Sequence, residues 1–304
     1  MNKNQIMKRL ITVCLCCISI SSFGQNVVSI NGTNVLGSGT KASKKVLDSA
    51  HLRCAYVFSK KKEGTEKPYR TDTMILEIGN KVSRFYDPAR MGRDSLLSYK
   101  MKNMDTESIK SVSVFKGDKA KDLANMPGTI ASPTNEGESY QIYKDKSSKK
   151  ITVIDKVAAT GDKFLYEDEI GTLPWKISGS TDTIQSYACQ KATVHFRGRD
   201  YTAWFAPDIP VSDGPWKFAG LPGLILKVED SRQLFVFSLI GLQQLNPLMP
   251  ILTDDPKKTI KCTRAEFEKQ KKKQGAGMQI NTNGGNVIIS EMPVTVDYTP
   301  METE

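Results

Sequence analysis

Between residues 187 and 206 hydrophobic and polar positions alternate with a period of two. Ala192, Val194 and Phe196 share one face of Tyr187–Phe196, and Lys191, Thr193 and His195 share the other. One apolar and one wet face predicts a strand of an antiparallel sheet. Arg197-Gly198-Arg199-Asp200 reads as a hairpin loop leading into a second strand, Tyr201–Ala206. Strand-like runs recur along the chain. Leu52–Ser59 and Thr71–Ile78 are followed, through Gly79-Asn80, by Lys81–Asp87. Ser139–Tyr143, Lys150–Val157, Lys163–Glu167 and Trp175–Ile177 form a second series. Leu224–Val228 and Leu234–Ile240 enclose a polar turn, and Val287–Ile289 is a late strand. Pro247, Pro250 and Pro256 are expected to end the meander, because proline has no N–H for a ladder.

Two stretches carry helical spacing instead. Asp94–Asn103 places Leu96, Leu97 and Met101 on one side, with Asp94 as the expected N-cap. Thr263-Arg264-Ala265-Glu266 is a capping box opening a helix to about residue 274, with Gly275 as its stop. That helix has few apolar residues and is the expected cover for a sheet edge. Residues 117–138 read as a loop. The fold class is therefore mainly β: a single antiparallel meander forming a curved sheet or half-barrel, with one or two short helices.

The stretch Gly214–Leu226 (GPWKFAGLPGLIL) interrupts the alternation with two Gly/Pro turns, two aromatics and an apolar run. Pro222 and Gly223 suit the central positions of a type II turn. Gly220, Leu221, Pro222, Gly223, Leu224 and Ile225 are accordingly expected to form a rigid structural corner. The preceding half, with Trp216, Lys217 and Phe218, is expected to be exposed and, together with Trp204, to offer a contact surface. Loss of Trp216 is then expected to spare the fold.

The first residues change the picture of where the chain works. Lys3, Lys8 and Arg9 precede an apolar stretch, Leu10–Ile20, too short to span a bilayer, and Ser22-Phe23-Gly24 supplies small residues for cleavage before Gln25. Residues 1–24 are expected to be a signal peptide, 25–50 a flexible Gly/Ser/Thr-rich segment, and 51–304 a single β-rich domain. The formal charge of +10 falls by three on removal of the signal. The remaining excess is read first as a basic solvated surface, with attraction to anionic surfaces such as lipopolysaccharide as the alternative, whereas export argues against nucleic acid. No later run predicts an integral membrane protein. In an oxidising envelope Cys54, Cys189 and Cys262 permit one disulfide of undetermined pairing and leave one thiol.

Candidate chemistry is sparse. His51 and His195 are the only histidines, which excludes multi-histidine metal motifs. Gly32–Gly37 lacks the Lys-Ser/Thr pair of a phosphate loop. Cys189 and His195 are expected on one strand face but about 20 Å apart, too far to share a proton. The acidic runs Glu167-Asp168-Glu169, Glu229-Asp230 and Asp254-Asp255 are read as turn chemistry. No catalytic, metal-binding or cofactor-binding residue is assigned. Trp175, Trp204, Trp216 and Phe218 are read as core or as the lining of a pocket.

From the hairpin onward the chain resembles a named family. Cys189, Lys191-Ala192, Arg197-Gly198-Arg199, Tyr201, Ala203-Trp204-Phe205, Ile209-Pro210, Gly214-Pro215 and Lys217-Phe218 lead to Gly220-Leu221-Pro222-Gly223-Leu224-Ile225. This block resembles the GLPGLI proteins of the Bacteroidetes cell envelope; Tyr298–Glu302 departs from their usual ending. The resemblance implies an exported periplasmic or outer-membrane-associated protein linked to TonB-dependent transport, with no established catalytic residues. The leading expectation is a non-enzymatic binding or accessory protein. The alternatives are a periplasmic carrier of an apolar ligand in a half-barrel and a peptidase-like hydrolase with an unfamiliar site.

Overall fold

The structure is a computed structural model and describes residues 44–103, 111–116, 129–130, 137–156, 162–169, 171–272, 276–283, 286–293 and 300–303. The signal peptide, residues 25–43, the Gly275 stop and most of the 117–138 loop lie outside the described residues.

Sixteen strands are described. The first eight are β1 (Lys45–Lys60), β2 (Arg70–Gly79), β3 (Val82–Tyr86), β4 (Ser111–Lys116), β5 (Thr129–Ile130), β6 (Gln141–Asp145), β7 (Lys150–Lys156) and β8 (Lys163–Glu169). The rest are β9 (Lys176–Ile184), β10 (Tyr187–Phe196), β11 (Arg199–Ala206), β12 (Leu224–Asp230), β13 (Phe235–Thr253), β14 (Ile260–Lys261), β15 (Ala276–Asn283) and β16 (Asn286–Pro293). Helix α1 spans Pro88–Lys102 and α2 spans Arg264–Lys272. Twelve strands form one open sheet in the order β14-β8-β7-β6-β3-β2-β1-β13-β12-β11-β10-β9, antiparallel throughout except for β14 against β8. A separate sheet has the order β4-β16-β15-β5. The mainly β, antiparallel expectation is met.

The large sheet is strongly curved. Arg197, in the turn between β10 and β11, donates to Asp168 of β8 at 2.6 Å, although these strands stand near opposite ends of the order. Phe85 of β3 likewise reaches Phe237 of β13 at 5.9 Å between ring centroids, across two intervening strands. The concave face holds the main core, from Tyr56, Phe58 and Phe85 to Tyr201, Phe205 and Phe237. A smaller cluster of Ala50, Val82, Tyr143, Ile154, Leu165 and Ile251 covers part of the other face. This is why β3 and most of β6 are buried on both sides.

Several boundaries differ from expectation for physical reasons. β1 begins at Lys45, inside the expected flexible segment, because it pairs with the far end of β13. β13 runs through Pro247 and Pro250 to Thr253. It pairs with β12 only around Lys227–Glu229, so its second half is an edge where proline withholds no required N–H. Helix α1 starts after Asp87, not Asp94: Asp87 Oδ1 accepts from Arg90 N at 2.9 Å, and Pro88 fills the first turn. The hairpin turn is only Arg197-Gly198, both at positive φ (51° and 75°), because Phe196 already pairs with Arg199. Cys189 is buried in the main core whereas His195 is exposed, so the two do not share a face.

The capping box forms as read: Thr263 N donates to Glu266 Oε2 at 2.8 Å, and Glu266 N to Thr263 Oγ1 at 3.2 Å. Phe267 is only 2% exposed. It seats α2 on Phe164 and Tyr166 of β8, beside the edge strand β14. Cys54, Cys189 and Cys262 are all free thiols.

Buried Glu138 closes one end of the concave face. It pairs with Lys60, lies 3.5 Å from Arg70 Nη2, and its amide donates to Asp87 Oδ2 at 2.9 Å. Burial pushes its carboxyl up, but Lys60, Arg70 and Lys271 together outweigh that and leave it below the ordinary glutamate value. A lowered pKa gives stability present above the unfolded value, about 4.3, and lost as pH falls through the folded one. The urea midpoint should therefore fall below about pH 4, and Glu138→Gln should flatten that decline. An identical acid limb in the variant would refute the assignment.

Candidate functional site

Residues 207–223 leave the sheet and fold back across its concave face as a plug. Because residues 213–218 are buried, the backbone groups there need partners inside the protein. Leu224 N donates to Ile209 O at 3.0 Å and Ile225 N to Asp213 O at 3.0 Å. Trp175 Nε1 donates to Ala219 O at 2.9 Å, and Tyr56 OH to Ile225 O at 2.8 Å.

The expected exposure of Gly214–Phe218 is overturned. Trp216, Lys217 and Phe218 are 5%, 2% and 0% exposed. Trp216 meets Phe218 at 5.2 Å and Phe196 at 6.0 Å, and Phe218 stands edge-on to Tyr201 at 4.8 Å. This packing holds Trp216 at φ 52°, a conformation costly for a bulky side chain. Trp204 alone of the four expected contact residues is half-exposed, with Lys191 Nζ 6.0 Å from its ring centroid.

At the corner Gly220–Ile225 the turn differs from the type II expectation. Gly223 N donates to Leu221 O at 2.9 Å, closing a three-residue turn around Pro222. Glycine is needed at 223 for close approach: a Cβ there would lie 2.7 Å from the carbonyl carbon of Ala206.

Lys144 of β6 anchors the plug. Its ammonium donates to Gly214 O at 2.5 Å and Phe218 O at 3.3 Å, and pairs with Asp213. Three N–H groups thus meet three acceptors. Burial pushes the Lys144 ammonium below its ordinary value, while Asp213 pulls in the other direction. Burial, reinforced by Asp213, pushes the nearby Cys54 thiol up.

On one side of the plug lies a cleft of about 410 Å³. The β6–β7 turn, residues 171–173, residues 210–213 with 219–220, and His51 surround it. Asp145 shapes the turn by accepting from Ser147 N and Ser148 N at 2.8 and 2.9 Å. Those bonds, with one from the Ser147 hydroxyl, hold its carboxyl below the usual range. Around the cleft Lys150 faces Glu167 and Glu169, whereas Lys146 donates to Gly79 O and Lys149 to Thr172 Oγ1. Lys146 and Lys149 make no ion pair among the described residues. At the floor, buried Asp213 keeps Oδ2 without a hydrogen-bond partner. Leu173, Val211 and Ile151 supply apolar wall. Such a cleft suits a small ligand with an apolar body and an anionic end for the lysines.

A second cavity, of about 80 Å³, lies on the other side of the plug, and Lys217 is the residue common to both linings. It has room for a few waters and not for an acyl chain. The His195–Asp200 contact, 2.7 Å, is exposed on the β10–β11 hairpin and lines neither cavity. Among the described residues no group of three His, Cys, Asp or Glu side chains is placed to hold a metal ion. No described helix is long and apolar enough to cross a membrane.

Sequence reasoning missed Lys144 and the turn lysines. The one available signal was a lysine at an inward position of the QIYKD strand.

Residues 197–227 match the model of a family described as "Protein of unknown function (Porph_ging)". The matched block is the hairpin turn, β11, the plug and the start of β12. No curated protein matches. Two solved structures of PNGF-II are similar, in the P21 and C2 space groups. The first has 12% identity and a TM-score of 0.46, covering 78% of this chain and 35% of that one. The second has 12% identity and a TM-score of 0.45, covering 76% and 34%. This chain thus spans about a third of their length. At that identity and score the likeness carries no functional argument.

Lys144→Met leaves Asp213 buried and uncompensated, with an expected loss of about 3–5 kcal/mol in urea unfolding. Adding Asp213→Asn should recover part of it; a neutral Lys144→Met would remove the anchor role. Gly223→Val should lower stability by about 1–3 kcal/mol through overpacking, and Trp216→Ala by about 3–5 kcal/mol through the lost ring. An unchanged melting temperature in either would contradict the buried plug.

Proposed function

We propose that this protein is an exported, non-enzymatic binding protein of the cell envelope, of the kind the GLPGLI resemblance implies. It works with a TonB-dependent outer-membrane transporter, and the 410 Å³ cleft holds its ligand. One observation carries the reading: the block matched by the family model, residues 197–227, supplies the cleft's floor and one wall. That segment packs the interior and at the same time walls a cleft rimmed by Lys146 and Lys149, which make no ion pair among the described residues. The arrangement is suited to recognition of an anionic group. The ligand is small, with an apolar body and a carboxylate or phosphate.

The two alternatives find less footing. A carrier of an apolar chain needs a hollow concave face, and Trp216, Phe218 and Leu221 fill it. A peptidase needs a base hydrogen-bonded to a nucleophile in a cleft: His195 stands outside both cavities, and His51, which lines the cleft, keeps Nδ1 without a hydrogen-bond partner.

Crosslinking in intact envelopes, followed by purification and native mass spectrometry, tests the proposal. Wild-type protein should bring down a TonB-dependent transporter and retain a small anionic ligand. Lys146→Glu with Lys149→Glu should keep the fold and reduce ligand retention about tenfold or more. Recovery of no transporter, or equal retention by the variant, would overturn it.

A further inference from the structure

The segment Pro300–Thr303 lies on the β10–β11 hairpin and the plug as a bound peptide lies on a receptor. Its backbone is read residue by residue. Arg199 Nη2 donates to Pro300 O at 2.8 Å, and Tyr201 OH to Met301 O at 3.0 Å. Thr303 N in turn donates to Arg197 O at 3.0 Å. Its side chains are read as well. Met301 packs against the main core. The Glu302 carboxylate accepts from Lys217 Nζ at 2.8 and 3.0 Å, with Arg264 at 3.6 Å and Arg197 at 3.9 Å.

The charge balance says what this groove requires. Three cations, Lys217, Arg197 and Arg264, face two carboxylates, Asp168 and Glu302. Without Glu302, Lys217 would keep Asp168 as its one carboxylate within ion-pair distance, and Arg264 would lose a carboxylate 3.6 Å away. Such a site demands an anionic occupant. Backbone reading combined with an apolar pocket and a carboxylate clamp is the mode by which extended peptides are recognised.

We infer that this groove is a peptide-binding site for an apolar–acidic segment, held in this structure by the chain's own Pro300–Thr303. A partner protein enters by presenting a segment of the same chemistry and displacing it. The site lies across the plug from the cleft and shares Lys217 with it. A tethered occupant competes at an effective concentration on the order of millimolar. A free peptide is then weakened about 100-fold while the chain's own segment is in place.

The test uses a fluorescein-labelled peptide with the sequence of residues 298–304 and fluorescence anisotropy. Three proteins are compared: the full chain, the chain lacking residues 300–304, and the full chain carrying Met301→Gly with Glu302→Gln. The truncated and doubly substituted chains should bind the peptide at one saturable site. The full chain should bind about 100-fold more weakly. A peptide with Glu302→Lys should lose binding, and Arg264→Glu in the truncated chain should weaken it about tenfold or more. If truncation alone unfolds the protein, the doubly substituted chain carries the measurement. Failure of a folded, strap-weakened chain to bind the peptide would sink the proposal. Equal binding of the Glu302→Lys peptide, or equal affinity of the full chain, would do the same. So would unfolding of both altered chains, since the segment would then be core and not a displaceable ligand.

Discussion

The fold depends on one saturated ammonium group. Lys144 lies inside the protein, where an unpaired charge is costly by several kcal/mol. The cost is offset because each of its N–H groups meets an acceptor on the plug: the Asp213 carboxylate, Gly214 O and Phe218 O. The same three contacts pin the plug's first turn to β6. A second ammonium, that of Lys217, ties the following residue to Asp168 of β8 and to Glu302. The plug is thus fixed by ion pairs to one half of the sheet and by aromatic contacts with Phe196 and Tyr201 to the other.

This arrangement answers a problem set by the sheet itself. An open twelve-stranded sheet with an apolar concave face needs a second layer. Helices usually supply one, but here α2 covers only the region around β8. An irregular segment takes the place of a helical layer and must find donors and acceptors that a helix would provide internally. Trp175, Tyr56 and Lys144 supply the donors. The glycine at 223 allows the chain to pass against Ala206. Packing and polar satisfaction are therefore obtained from the same thirteen-residue stretch that carries the sequence motif.

Much of the sheet was legible in the sequence because period-two alternation survives wherever one face is wet, as in β10 and β11. The capping box at Thr263 and Glu266 was legible because its chemistry is local. Local reading failed where distant strands decide the outcome. Pro247 and Pro250 look like strand breakers until β1 is seen to pair with that edge. β3 and β6 lack clean alternation because a second cluster covers their other face. Gly214–Phe218 reads as an exposed loop since Gly and Pro normally mark the surface, and only the aromatic rings packed on it reveal an interior. The cleft was missed for the same reason: Lys144, Asp213 and the β6–β7 turn meet only when the plug folds back.

The pairing of β1 has a kinetic side. Lys45 stands opposite Thr253, and Lys60 opposite Phe235. One flank of this central strand therefore waits for residues translated long afterwards, and closing so large a loop is entropically costly before any contact rewards it. Topologies dominated by such distant pairings fold slowly. Until β13 arrives, Tyr56, Phe58 and the rest of the concave face lack their cover. A chain with β1 made and β13 not yet made would leave this apolar face open, the condition in which large β proteins are prone to aggregate.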